Sequence, residues 1–233
     1  MVTDAIEKHV SETSLLGRLL QSTKSEAGLT KREVRDNLVV FLLAAYETPS
    51  IGWVLYFLGK HPDMAARLTQ EVDDVLCEGV ASLHDLPRLV YTEACIKEAL
   101  RLVPPSPILA REALGDDTLS AGNVKRGTLL VIPAYAIHQN ANKWLAPTAF
   151  RPERFLESSA AAASDFLPFG RGARQCIGAG LAMQTKVTMV AMLLWRFSFS
   201  LVPGYHATPH NKLRPFPSGG LPTRLAVRRT ANA

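Results

Sequence analysis

The chain has 233 residues, of which 47% are hydrophobic and 20% charged, and its formal net charge is +5 at pH 7. This balance is typical of a folded globular protein and excludes a disordered one. The sequence has no stripe of basic residues interleaved with aromatic residues, so a nucleic-acid partner is not expected. Three irregularly spaced cysteines predict a reducing, cytoplasmic location without a disulfide framework. Cys77 and Cys95 fall at apolar helical positions and are expected in the core.

The first part of the chain is predicted to be helical. Apolar residues share one side of a helix, or of two short helices, over residues 4–22. Thr30 and Glu33 have the spacing of a capping box, and they open a helix that is expected to end before Pro62. Its middle is apolar nearly all round, which predicts a central buried helix. The apolar run at 38–46 is too short to cross a bilayer, so no membrane anchor is expected in this chain, and an anchor upstream of it stays open.

A polar interruption, Glu47-Thr48-Pro49, lies inside this predicted helix. A buried acid and hydroxyl cost free energy unless they have a partner or a task. Pro49 cannot donate to the Ala45 carbonyl, so the helix is expected to open or kink there. Taken alone, a Thr-Pro pair in a helix is more often a kink than a functional notch.

Two more helices are predicted, one from Pro62 to Cys77 and one from Leu89 to Val103. The second helix carries Glu98 and Arg101 three residues apart on one face, so the two side chains can pair. An isolated Glu-x-x-Arg pair on a helix is by default an ion pair on the surface.

The next segment mixes extended and turn residues. Short strands are predicted at 108–111, 118–119 and 128–132. A short helix after Pro133 contains His138, which on its own is more often a satisfied structural residue than a ligand. Residues 158–164 are rich in alanine and predict a solvated loop.

Glycines, arginines and a cysteine are concentrated in the loop Phe169-Gly170-Arg171-Gly172-Ala173-Arg174-Gln175-Cys176-Ile177-Gly178. Gly172 and Gly178 let the backbone turn sharply and approach a flat or bulky group. Cys176 stands just before a predicted helix, where the positive end of the helix dipole and the neighbouring arginines favour the thiolate. A single thiolate suits one axial bond to iron, and a buried free cysteine in a glycine-rich turn is the alternative.

After this loop, a helix is predicted from about Ile177 through Leu194, followed by strands at 197–201 and 224–227. No Gly-x-Gly-x-x-Gly motif occurs, so flavin and nicotinamide are expected to bind another protein.

The loop at 169–178 resembles the haem-binding signature of cytochrome P-450 enzymes, the haem-thiolate monooxygenases, Phe-x-x-Gly-x-Arg-x-Cys-x-Gly. Residues 44–49 are similar to the family's oxygen-activation motif, with Ala45 in place of its glycine and Pro49 in place of its second hydroxyl residue. Glu98 to Arg101 resembles its Glu-x-x-Arg motif, and 151–155 resembles its Pro-Glu-Arg-Phe segment. These matches correspond to the C-terminal half of the family's fold. They imply one N-terminally truncated domain over residues 1–233, mainly α with small β-sheets, a long central helix and a haem-binding cysteine loop.

The resemblance also implies a site that holds haem b (iron protoporphyrin IX), with Cys176 as the iron ligand. Its other expected haem contacts are Phe169, Gly170, Gly172, Arg174, Gly178 and, at a propionate, Arg111, for which an exposed strand arginine is the alternative. Glu47 and Thr48 would relay protons to bound dioxygen. A buried structural triad is expected from Glu98, Arg101 and Arg154. The substrate-facing positions are Leu43, Ala44, Ser106, Pro107 and Ile108.

The activity that the resemblance implies is insertion of one oxygen atom of O2 into a small apolar organic substrate, with electrons from a separate reductase or ferredoxin. One alternative is a truncated, non-catalytic remnant that binds haem weakly or not at all. A third, weaker alternative is a family member that uses peroxide, or rearranges its substrate, without external electrons. Glu47 and Thr48 count against this third alternative.

Overall fold

The computed structural model describes residues 11, 13–24, 28–44, 48–76, 80–156, 165–209 and 215–228, without the side chains of Thr48 and Pro49. The described helices are α1 (Leu15–Ser22), α2 (Lys31–Ala44), α3 (Thr48–Lys60), α4 (Pro62–Val75), α5 (Val90–Leu102), α6 (Ala134–His138) and α7 (Ala179–Arg196). The described strands are β1 (Leu109–Glu112), β2 (Asp117–Leu119), β3 (Gly122–Val124), β4 (Leu129–Ile132), β5 (Phe197–Leu201) and β6 (Thr223–Val227). The predicted class, mainly helical with small sheets, is confirmed. The chain divides into two compact units, residues 1–47 and 48–233.

The smaller unit contains α1 and α2, and the helix start predicted at Thr30 is present in it. The capping box is confirmed: the Glu33 amide donates to Thr30 Oγ1 at 3.2 Å, and the Thr30 amide donates to Glu33 Oε2 at 2.7 Å. The burial predicted for this helix is wrong for α2, because Val40 and Leu43 are 59% and 65% exposed. An apolar helix becomes buried only where neighbours cover its whole circumference. Within the described part of this unit, α2 packs against the short helix α1, which leaves these side chains open to solvent.

The predicted long helix appears as two described helices, α2 and α3, one in each unit. The residues between them, 45–47, lie outside the described residues, so the predicted opening of the helix at this point remains a prediction. The part in α3 is buried as expected, since Trp53 and Leu58 are 3% and 0% exposed. The Trp53 indole also donates to the Pro215 carbonyl at 3.0 Å, which ties α3 to the C-terminal segment.

The core of the larger unit is built around α5. Ten of the 13 residues of α5 are buried, and the helix packs against α3, α4, α6, α7 and the 3-10 turn Pro152–Phe155. Its N-terminus is capped by a side chain from α4: the amides of Tyr91 and Thr92 donate to the Glu71 carboxylate at 2.7 and 2.8 Å. A carboxylate at this end of a helix satisfies free N–H groups and opposes the positive end of the dipole. The cap therefore fixes α5, and with it Glu98 and Arg101.

The sheets among the described residues are three antiparallel pairs: β1 with β4, β2 with β3, and β5 with β6. Gly122 opens β3 at a φ of 134°, a backbone conformation that favours glycine. Register in the first sheet sets Arg111 opposite Leu130. Within the described ranges, no helix combines the length and hydropathy needed to cross a bilayer.

Candidate functional site

The cysteine loop, residues 169–178, is closed by one backbone hydrogen bond. The Cys176 amide donates to the Phe169 carbonyl at 2.9 Å, so the first and eighth residues of the loop are neighbours. Between them the chain makes the 3-10 turn Gly172–Arg174, and the Gln175 amide donates to the Gly172 carbonyl at 2.9 Å. Gly170 and Gly172 have φ angles of 69° and 77°, a conformation that side chains with a Cβ rarely adopt. The glycines are therefore needed for the turn that presents the cysteine.

The thiol of Cys176 is exposed and forms no disulfide. Helix α7 begins at Ala179, two residues later than predicted, because the Ala179 amide first makes a turn to the Cys176 carbonyl at 3.3 Å. Cys95, in contrast, is fully buried in α5, as predicted, and burial raises the pKa of its thiol. Cys77 lies outside the described residues.

Apolar side chains next to this thiol are left open to solvent. Ile177, which follows the cysteine, is 86% exposed, and Leu181 in the first turn of α7 is 71% exposed. Both side chains therefore present apolar surface where the cysteine loop leads into α7.

Cationic groups lie around the loop. Arg174 ends its 3-10 turn and is exposed. Arg111 on β1 reaches the loop, with its Nη2 within 3.5 Å of the Arg171 carbonyl. Lys186 of α7 is only 2% exposed, and its Nζ lies 5.9 Å from the centre of the Phe169 ring. The burial of Lys186 had no signal in the sequence, where a helical lysine predicts a solvated face.

These groups have the chemistry that haem requires. A porphyrin presents an apolar plane, one metal centre and two carboxylates. Cys176 offers a single soft donor from an exposed position, and the glycine turn leaves no Cβ at Gly172 to obstruct a flat group. Guanidinium groups such as those of Arg111 and Arg174 suit carboxylates. The residues present therefore fit the cofactor that the resemblance implies.

A buried charge network lies in α5 and the segment that follows α6. Glu98 and Arg101 are both fully buried and form a bidentate pair: Nε donates to Oε2 at 2.7 Å and Nη2 donates to Oε1 at 2.9 Å. Arg154 Nε also donates to Glu98 Oε1, at 3.0 Å, and the Arg151 amide donates to the same oxygen at 2.9 Å. The structure thus brings the three predicted triad residues into contact, and the burial replaces the default reading of a surface pair.

Arg101 also donates to backbone carbonyls, from Nη1 and from the Nη2 that binds Glu98. Nη1 donates to the His138 carbonyl at 2.6 Å, and Nη2 lies 3.3 Å from the Ala149 carbonyl. The guanidinium also lies 5.1 Å from the centre of the Trp144 ring. Because every contact is buried or partly buried, the charge of Arg101 is compensated from several segments at once.

His138 joins this network to the cysteine loop. The ring is fully buried, its Nδ1 lies 3.0 Å from the Arg101 carbonyl, and its Nε2 accepts the Leu167 amide at 2.8 Å. Burial lowers the pKa of His138 to about 4, so the ring is neutral at pH 7. Since Nε2 accepts, the proton is on Nδ1, which donates to the Arg101 carbonyl. The structure agrees with the reading of His138 as a satisfied structural residue.

The lowered pKa predicts that acid destabilises this fold through His138. An unfolded chain protonates the ring near its ordinary pKa of 6.5, whereas the folded chain resists protonation down to about 4. The stability contribution is therefore present above pH 6.5 and is lost as the pH falls towards 4. Between pH 7.5 and 5 we expect the free energy of unfolding to fall by about 2 kcal/mol on account of this group. Urea unfolding at both pH values measures it.

His138→Gln provides the control, because it removes the titrating ring and leaves Arg101 and Asp165, the charged groups that act on the ring, in place. The pH dependence of the variant should be smaller by that amount. An equal dependence in both proteins would contradict the assignment.

The structure describes the other predicted site residues only in part. Glu47 lies outside the described residues, and Thr48 begins α3 without a described side chain. Leu43 and Ala44 end α2 and are exposed. The remaining substrate positions lie just before β1, where Ser106 and Ile108 are exposed and the Pro107 carbonyl accepts the Tyr135 amide at 3.0 Å.

Comparison with known proteins tests the family. The family model described as Cytochrome P450 matches residues 3–223. The chain is 36% identical over 183 residues to cytochrome P450 4A10 of Rattus norvegicus, covering 77% of this chain and 36% of that protein. It is 34% identical over 210 residues to cyclooctat-9-en-7-ol 5-monooxygenase of Streptomyces melanosporofaciens, covering 88% and 46%. A Mycobacterium tuberculosis protein named as a cytochrome P450 is 35% identical over 210 residues, again covering 88% and 46%.

The matched part of the chain thus spans less than half the length of each of these relatives. The match nevertheless extends over nearly the whole chain and includes the cysteine loop and the Glu98–Arg101 segment. The chain belongs to the cytochrome P450 family.

Proposed function

We propose that this chain supplies the haem-binding half of a haem-thiolate monooxygenase. The reaction is insertion of one oxygen atom of O2 into a small apolar organic substrate, with electrons delivered by a separate reductase or ferredoxin. The observation that supports this most is the exposed thiol of Cys176 on a closed glycine loop, in a chain of this family. The relative from Streptomyces melanosporofaciens is itself named a monooxygenase.

The residues of the loop would hold haem b. Cys176 would provide the single thiolate ligand, and Ile177 and Leu181 would lose their exposed apolar surface to the cofactor. Arg174 and Arg111 would pair with its carboxylates. Bound haem would supply the oxygen chemistry, and the Cys176 thiolate would be its electron-donating ligand.

The substrate is proposed to contact Ser106, Pro107 and Ile108, with Leu43 and Ala44 as the further contacts that the family resemblance implies. Ile108 is 53% exposed, so an apolar ligand against it would remove hydrocarbon surface from water. An apolar substrate of modest size is therefore favoured over a charged one.

Glu47 and Thr48 are proposed to deliver the protons that the reaction consumes, with Thr48 Oγ1 holding the water that donates them. Thr48→Ala should then raise the fraction of the consumed O2 that is released as hydrogen peroxide, because a positioned proton donor contributes about 10²–10⁴-fold to the rate of the productive step. The measurement uses the haem-loaded chain with a surrogate ferredoxin and its reductase. Thr48→Ser, which keeps the hydroxyl, should behave as the wild type. Equal peroxide release in all three proteins would remove Thr48 from the mechanism.

The proposed function is tested by loading the purified chain with haem, reducing it, and adding carbon monoxide. A thiolate-ligated ferrous complex gives a strongly red-shifted Soret band, and we expect that band at close to one equivalent of haem. A spectrum of the ordinary imidazole type, or no specific haem binding by this chain, would contradict the proposal.

A further inference from the structure

We infer that His138 is a positioning residue for the cysteine loop, holding the start of the loop in register with the buried Glu98–Arg101 pair. Its role towards haem rests on the proposed function, whereas its role in ordering the loop does not.

The His138 ring is anchored on α5. Arg101 and His138 hold each other through reciprocal hydrogen bonds: the guanidinium donates to the His138 carbonyl at 2.6 Å, and the ring pairs with the Arg101 carbonyl at 3.0 Å. Aromatic rings restrict the ring further, since Phe166 stacks on it at 5.8 Å and Trp144 meets it edge-on at 6.2 Å. The imidazole is therefore held in a fixed position relative to the Glu98–Arg101 ion pair.

Hydrogen bonds connect the anchored ring to the cysteine loop. The free ring atom, Nε2, accepts the Leu167 amide at 2.8 Å. The Leu167 carbonyl in turn accepts the Gly170 amide at 3.1 Å, and the Phe169 carbonyl accepts the Cys176 amide at 2.9 Å. Three consecutive contacts thus lead from a buried ring to the residue that carries the thiol.

The His138 ring has no hydrogen-bonding group to spare. A neutral imidazole has one donor and one acceptor, and here both are used, the donor on α5 and the acceptor on the loop. Losing the acceptor leaves the Leu167 amide without its partner in a partly buried place, which is costly for that amide in particular. An asparagine can imitate Nδ1 and a glutamine can imitate Nε2, so the two contacts can be removed separately.

Amide hydrogen exchange on the chain without haem tests the ordering of the loop. In His138→Asn the contact to the Arg101 carbonyl is kept and that to Leu167 is lost, so exchange over residues 165–176 should accelerate about tenfold, the effect of one hydrogen bond. In His138→Gln the contact to Leu167 is kept, and exchange there should stay within about threefold of the wild type. Exchange over α4, which has no hydrogen bond to His138, is the internal reference. Equal acceleration in both variants, or none in His138→Asn, would overturn the inference.

The haem-loaded proteins test the consequence for the ligand. Relative to the wild type, His138→Asn should lower the fraction of the carbon monoxide complex with the red-shifted Soret band, and His138→Gln should restore it. An undiminished fraction in His138→Asn would overturn the positioning role. If the exchange results are as expected and the wild-type chain itself gives no red-shifted band, the proposed function fails and the ordering of the loop by His138 stands.

Discussion

Replacing Cys176 by serine should abolish the red-shifted Soret band of the reduced carbon monoxide complex completely. A serine hydroxyl is protonated at neutral pH and is a hard oxygen donor, so it cannot donate electron density to iron as a thiolate does. The thiol is exposed at the end of a loop whose backbone is held by the hydrogen bond to Phe169, so the substitution leaves the fold intact. The measurement is the absorption spectrum of wild type and variant at matched haem content.

Cys95→Ala is the control for loss of a thiol. Cys95 is fully buried in α5 and forms no disulfide, so its removal should leave the spectrum unchanged. A red-shifted band that survives in Cys176→Ser would refute the assignment of the ligand. The same conclusion would follow from an imidazole-type spectrum that is identical in wild type and variant.

The second large effect is expected at Glu98. Glu98→Gln removes the negative charge that compensates the fully buried guanidinium of Arg101 and that also accepts from Arg154. Breaking a buried pair from one side leaves a buried charge without compensation, and the expected loss in the free energy of unfolding is about 3–5 kcal/mol. Urea unfolding at pH 7 measures this loss, with the midpoint and the slope fitted separately.

Glu153→Gln is a matched control, because it is the same substitution in an ion pair that is open to solvent. Glu153 lies 3.2 Å from Arg67, and the two side chains are 40% and 53% exposed. Exposed pairs contribute about 0–1 kcal/mol, so this variant should be nearly as stable as the wild type. A loss at Glu98 no larger than the loss at Glu153 would show that burial does not govern the energetics of the network.

The features that were predictable from the sequence are those set by neighbours along the chain. The capping box of Thr30 and Glu33 needs only a spacing of three residues, and Pro62 starts a helix because its missing amide costs nothing there. The pairing of Glu98 with Arg101 follows from helical geometry alone. The family was predictable because the cysteine loop is a contiguous pattern.

Features that depend on residues far apart in the chain were not predictable in this way. Glu71 caps a helix through the amide of Tyr91, which lies 20 residues further along the chain. This role appears only when α4 packs on α5. The contact between His138 and the Leu167 amide spans 29 residues and has no local pattern. Burial of the apolar residues of α2 was wrongly predicted, because periodicity shows which faces seek neighbours but does not supply the neighbours.

One carboxylate oxygen has a topological consequence. Glu98 Oε1 accepts from the Arg151 amide and from Arg154, which are 53 and 56 residues further on. The segment from Glu98 to Arg151, which contains the β1–β4 pair and the β2–β3 hairpin inside it, thus leaves and returns to the same buried point and behaves as a tethered loop. Because the entropy of closing a loop rises only as the logarithm of its length, doubling such a segment costs about 0.6 kcal/mol. Insertions at the exposed tip between Leu119 and Gly122 are therefore tolerable, and this is where the protein can gain new surface without disturbing the ion pair beneath it.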